Sequence, residues 1–107
     1  MIARIWRGWT TTGDGDAYEA LLRTTIFPAL ADRVSGFNGG YVLRREERGG
    51  EDEFVVITLF ESLDAVRAFA GERYEVPVIE PEAARLLSRG DERAAHYVVV
   101  RRSTAAT

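Results

Sequence analysis

Between Phe54 and Gly71 the chain reads FVVITLFESLDAVRAFAG, an unbroken apolar stretch that runs straight into a pattern of helical period. In the extended part, Phe54, Val56, Thr58 and Phe60 fall on one side, and Val55, Ile57 and Leu59 on the other. A half-exposed antiparallel strand alternates with polar residues, so a strand apolar on both sides predicts cover on both. Ser62 then caps a helix, Asp64 suits its first turn, Gly71 closes it, and Val66, Phe69 and Ala70 form its buried stripe.

The same reading extends over the rest of the chain. Ile2 to Thr10 is a strand with two Trp and two Ile. After a polar loop, Thr11 to Gly15, Asp14 or Asp16 caps a helix, and Asp16 with Glu19 has the spacing of a capping box. Tyr18, Leu22, Ile26, Ala29 and Leu30 recur at helical spacing as far as Val34, with Pro28 kinking or dividing the stretch. Ser35-Gly36 ends it. Phe37 to Arg48 reads as a second strand, and the acidic, Gly-rich turn Gly49 to Asp52 makes a hairpin with the third. Glu72 to Gly90 holds Pro77 and Pro81 and predicts an irregular crossing, then a short helix containing Arg85, Leu86 and Leu87. Arg93 to Arg102 is the last strand, and 103–107 is a tail with nothing to bury.

The order strand, helix, strand, strand, helix, strand is the split βαβ arrangement of a ferredoxin-like α+β fold in one domain over residues 1–102. It predicts a four-stranded antiparallel sheet with both helices on one face. So small a chain has helices for that face only, so the other apolar face predicts a second subunit and hence a homodimer.

Composition narrows the function classes. With 46% hydrophobic and 29% charged residues the chain is that of a globular protein, and a net charge of −3 with interleaved signs argues against nucleic acid. The apolar runs are too short for a membrane span, and the start lacks a signal-peptide core. Together with the absence of Cys, this makes the cytoplasm the expected compartment. All 14 basic residues are Arg, which excludes Schiff-base catalysis by Lys. One His and no Cys leave no conventional zinc or copper set, so no metal cofactor is expected.

The segments MIARIWRG, LFESLDAVRAFAG and HYVVV together resemble the antibiotic-biosynthesis-monooxygenase group of the dimeric α/β-barrel superfamily, over about residues 1–102. The resemblance implies a homodimer with facing sheets and a small-molecule cavity between each sheet and its own helices. Such proteins include quinone-forming oxygenases that use no metal or flavin, haem-degrading enzymes, and others with no assigned reaction. Where oxygenases and haem degraders often place an Asn on the first strand, this chain has Trp6. Phe60 stands at the aromatic position ending the third strand, and Val56 where quinone-forming members carry another Asn. A haem-ligating His after the second helix has no counterpart in 71–81. The implied function is a cofactor-independent monooxygenase-like enzyme acting on an aromatic or polyketide-like molecule. The alternatives are a non-catalytic binding module for a small apolar metabolite and a polyketide cyclase-like isomerase.

The candidate site residues follow. His96, the only histidine, is the side chain with an ordinary pKa suited to proton transfer near neutrality; it is either a general base or a hydrogen-bonded strand residue. Its facing is open, because Ala95, Tyr97 and Val99 form an equally good inward set. Trp6 either stacks on a flat substrate or fills the core, with Trp9 on the opposite face toward the dimer interface. Arg4 is costly to bury alone, and so pairs with an internal carboxylate or with an anionic ligand. Phe60, Phe69 and Val66 form either an apolar pocket wall or simple core packing, with Val56 beside them. Tyr74 either closes the pocket mouth or is an exposed loop residue. The run RREER from Arg44 to Arg48 reads as a solvated hairpin end.

Overall fold

A computed structural model describes residues 1–46 and 49–105, so the expected strand end at 47–48 and the last two residues of the tail lie outside the described residues. The elements are β1 (Ile2–Thr11), α1 (Gly15–Leu21), α2 (Phe27–Arg33), β2 (Phe37–Glu46), β3 (Glu51–Phe60), α3 (Leu63–Ala70), α4 (Pro81–Leu86), β4 (Leu87–Gly90) and β5 (Ala95–Val98). The strands form one antiparallel sheet in the order β2-β3-β1, with β4 and β5 sharing the far edge of β1. This is the ferredoxin-like α+β arrangement, with the last strand broken in two.

The break departs from the expected continuous strand at 93–102. Leu87 to Gly90 pairs with the end of β1, and Ala95 to Val98 with its beginning. Between them Asp91 N–H donates to Arg7 O, and Ala94 N–H leaves the ladder for Glu75 O. Beyond Val98 one more bond forms, Val99 N–H to Met1 O. Leu87 accordingly belongs to a strand and not to the short helix that precedes it.

The first helical stretch also follows Pro28. Helical backbone runs unbroken from α1 to α2, but Leu22–Ile26 is a turn of π-helix, and Pro28 falls in the first turn of α2. Proline has no N–H to continue the ladder, so the chain widens one turn before it. The expected capping box does not form. Thr11 Oγ1 accepts from Asp14 N–H at 3.3 Å, while the carboxylates of Asp16 and Glu19 turn to Arg44, at 2.8 and 3.2 Å. A bond to guanidinium joins two opposite charges, whereas a cap joins the carboxylate to an uncharged N–H. Arg44 is therefore no solvated hairpin residue: it also bonds Asp52, itself almost fully buried, and lies over the Phe54 ring.

In α3 the cap is as expected, Ser62 Oγ accepting from Ala65 N–H, and Gly71 closes the helix at φ 85°. Its buried residues are Ala65 and Val66, whereas Phe69 and Ala70 are half-buried.

The cross-strand register assigns every side chain to a face. Two core clusters stand at opposite ends of the helix-covered face: Tyr18, Leu22, Phe54 and Ala83 at one end, and Phe60, Ala65 and Val66 at the other. Between Phe54 and Phe60 the rows are Val42–Val56–Trp6 and Gly40–Thr58–Arg4–His96. On the opposite face the rows Tyr41–Ile57–Ile5–Ala95 and Leu59–Ala3–Tyr97 are covered by no element among the described residues. Tyr41 is 57% exposed there, Leu43 50% and Tyr97 58%. Trp9, on this face, is already buried within the subunit beneath Arg7 and Arg89. Among the described residues no helix is long and apolar enough to cross a membrane.

Candidate functional site: a cavity between sheet and helices

The gap between the two core clusters is a cavity of about 620 Å³. Its sheet side is made by Arg4, Trp6, Val56 and Thr58, and its helix side includes Tyr18, Leu22 and Phe69. The size is that of a site for a drug-sized ligand. The end of the α3–α4 connection, 77–80, and the start of α4 supply the rim.

Trp6 is held in one orientation by glycine. Gly8 pairs with Gly90, and a Cβ built on Gly8 would lie 2.7 Å from the Trp6 ring, with a Cβ on Gly90 meeting the same indole. The ring therefore lies across a flat Gly–Gly patch, and its Nε1–H donates to Asp91 O at 2.8 Å. With its polar edge satisfied, the indole presents apolar area to the cavity.

Arg4 is 5% exposed and, among the described residues, forms no ion pair with any carboxylate. Its Nη1 donates to Tyr74 O and to His96 Nε2, the latter at 2.9 Å, and its Nη2 donates to Val76 O at 3.3 Å. One face of the guanidinium lies over the Phe69 ring. The expectation of a carboxylate partner is thus corrected: neutral acceptors hold the cation. Burial pulls its pKa down to about 10, so the group keeps its charge at neutral pH.

His96 shares a row with Arg4, which places it on the helix-covered side, half-buried, yet behind Arg4 and not on the cavity wall. Because arginine only donates, His96 Nε2 is the acceptor and its proton sits on Nδ1. Burial first, and then the charge of Arg4, hold its pKa below the ordinary value, with Glu75 opposing. The Tyr74 ring meets the His96 ring edge-on at 5.0 Å, and Tyr74 is half-buried, not an exposed loop residue.

Of the expected site residues, Arg4, Trp6, Val56 and Phe69 come together on the wall. Phe60 and Val66 are fully buried behind it, Phe60 stacked on Phe69, while Tyr74 and His96 brace Arg4 from outside. Sequence reasoning treated Tyr18 only as part of a buried stripe. The structure puts it on the cavity wall, edge-on to Phe54, with no hydrogen-bond partner for its hydroxyl among the described residues. Burial raises its pKa to about 12, so it is a protonated phenol at any physiological pH. The one available signal was chemical: tyrosine on an apolar stripe carries a polar handle that needs somewhere to go.

No protein-family model matches the chain, and no curated protein matches it in sequence. Solved structures do match it in fold. A proposed antibiotic biosynthesis monooxygenase from Bacillus cereus superposes with a TM-score of 0.62 at 20% identity, covering 99% of this chain and 97% of that one. MhuD, a haem degrader from Mycobacterium tuberculosis solved with two haems in its active site, gives 0.61 at 21% identity over 97% and 100% of the two chains. A variant of SnoaB, a cofactor-independent oxygenase from Streptomyces nogalater, gives 0.55 at 15% identity over 94% and 95%. The chain thus has the fold of antibiotic biosynthesis monooxygenase-like proteins.

The residues present do not fit an iron-ligated haem. The sole histidine spends Nε2 on Arg4, stands behind the cavity wall, and has no counterpart in 71–81. Among the described residues no three His, Cys, Asp or Glu side chains gather as a metal site.

Proposed function

We propose that the chain is a cofactor-independent monooxygenase-like enzyme, acting on an aromatic or polyketide-like small molecule in the sheet–helix cavity. The observation that carries this reading is the buried, carboxylate-free Arg4 set beside the flat Trp6 wall. A cation held by neutral groups in an apolar cavity stabilises an anion far better than it would in water. A phenolate or enolate formed beside it is electron-rich enough to react with dioxygen directly. The net change is CH₂ plus O₂ to C=O plus H₂O, so the substrate supplies all four electrons.

In this proposal Arg4 holds the oxyanion, Tyr18 O–H donates to a second substrate oxygen, and Trp6, Val56 and Phe69 position the rings. Phe60 and Val66 back that wall, and Tyr74 fixes Arg4 through its carbonyl. His96, neutral at pH 7, takes the substrate proton at Nε2 in the same step in which Arg4 shifts its Nη1 bond from Nε2 to the oxygen that becomes anionic. We further propose a homodimer built on the uncovered sheet face, which leaves the two cavities on its outer sides.

The test is oxygen uptake by the purified protein with anthrones, with and without a chelator. One O₂ per substrate, insensitive to chelator, is expected, and His96→Ala should lower kcat about 100-fold or more. Tight binding of these compounds without any uptake would instead establish a non-catalytic binding module. One observation favours that second reading: His96 does not reach the cavity wall.

A further inference from the structure

The hydrogen bonds of Arg4 leave one edge of its guanidinium unused. Of the five N–H donors of an arginine, three are spent: both on Nη1, to Tyr74 O and His96 Nε2, and one on Nη2, to Val76 O. Left over are Nε–H and one Nη2–H, and Nε and Nη2 share one edge of the guanidinium plane. That edge is the fork that binds a carboxylate through two parallel bonds. Neither donor has an acceptor among the described residues. The edge is also not sealed in protein, since Thr10 Oγ1 is the buried side-chain polar atom without a partner among the described residues. The open space that Arg4 borders is the cavity.

Charge around the cavity points the same way. Arg33 and Arg85 line it, and so do Glu80 and Glu82, which balance them. Arg4 is the cation left over, deep on the sheet side and without a carboxylate of its own. Trp6 lies two residues along the same strand and on the same face, about 7 Å away. A ring bearing its acid group directly spans that distance: the ring against the indole, the acid on the fork.

We propose that Arg4 is the specificity-determining residue of the cavity and that the ligand it selects is an aromatic carboxylate, gripped through Nε–H and Nη2–H with its ring against Trp6. The inference rests on the cavity being the substrate site, and it names the acid group that the oxygenase reading leaves open. Thr58, opposite Arg4 in the register, has its Oγ1 3.5 Å from Arg4 O and keeps the strand pair aligned beneath the fork.

The test compares 2-naphthoate with 2-naphthamide, which has nearly the same shape but no charge, by titration calorimetry on the intact protein. The wild type should bind the acid about 10- to 100-fold more tightly than the amide, the worth of one or two bonds to a charged group. Arg4→Lys keeps the charge but not the fork, and should lose most of that ratio with amide affinity unchanged. Arg4→Met should abolish the ratio. Equal binding of acid and amide by the wild type, binding of neither, or a preference that survives in Arg4→Lys would each overturn the proposal. Oxygen uptake on an uncharged anthrone, found together with equal binding, would overturn the carboxylate inference and leave the oxygenase reading standing.

Discussion

His96 Nε2 and Arg4 Nη1 lie 2.9 Å apart across neighbouring strands, a neutral imidazole accepting from a buried cation. The contact ties the only histidine to the cation of the cavity, and the charge of Arg4 adds to burial in depressing the proton affinity of His96, whereas Arg4 itself is lowered by burial. Protonating His96 would put two positive charges side by side and remove the acceptor.

The first prediction concerns pH. The folded-state pKa of His96 is below its ordinary value, so the folded protein takes up its proton less readily than the unfolded chain. The contribution to stability is fully present above about 6.5 and is lost as the pH falls from there through the folded value. Chemical denaturation at pH 7.5 and 5.5 should show wild type losing more stability on acidification than His96→Gln. A titration of the His96 ring by NMR should move up toward the ordinary value in Arg4→Met, though not reach it, since burial remains.

The second prediction concerns the Trp6 platform. Gly90→Ala adds a Cβ inside the space of the Trp6 indole, backed by the paired strand. The ring must move off the patch and lose its bond to Asp91 O, at a cost of about 1–3 kcal/mol. Tryptophan fluorescence should shift and naphthoate affinity should fall, whereas Gly13→Ala, which meets nothing, should change neither. An unshifted spectrum in Gly90→Ala would mean that the glycines do not set the ring.

A third prediction separates wall from backing. Phe60 is fully buried behind Phe69, so Phe60→Ala should cost about 3–5 kcal/mol in urea denaturation. Phe69 is half-buried and touches both cavity and Arg4, so Phe69→Ala should cost less stability and more ligand affinity.

The fourth prediction concerns assembly. Light scattering should give about twice the 11.9 kDa chain mass. Ile57→Arg places a charge in the middle of the row Tyr41–Ile57–Ile5 and should yield a folded monomer. A wild-type monomer at micromolar concentration would remove the dimer and, with it, the explanation of that uncovered face.

The period-two pattern of 54–60, the Ser62 cap and the Gly71 stop were enough to place β3 and α3, because those signals act within a few residues of each other. The apolar character of both sheet faces was equally legible, and so was which residues share a face, Arg4 with Trp6 and Val56 with Phe60; that the helices cover that face was only what the family resemblance implied. Three things were decided only by the tertiary structure. Leu87 to Gly90 is a strand because the end of β1 offers it a free edge, although LSRG carries no strand signal of its own. Arg44 is half-buried because Asp52 across the hairpin and α1, from a distant part of the chain, bring carboxylates to it. The facing of His96 was open in sequence, since AHYVV reads equally well in either register. Pairing with Arg4 settled it, and in doing so turned two separately ambiguous residues into one charged, neutrally held group at the edge of a cavity. Local periodicity fixes which residues share a face; only long-range pairing decides which faces meet, and the chemistry of this chain lies in that meeting.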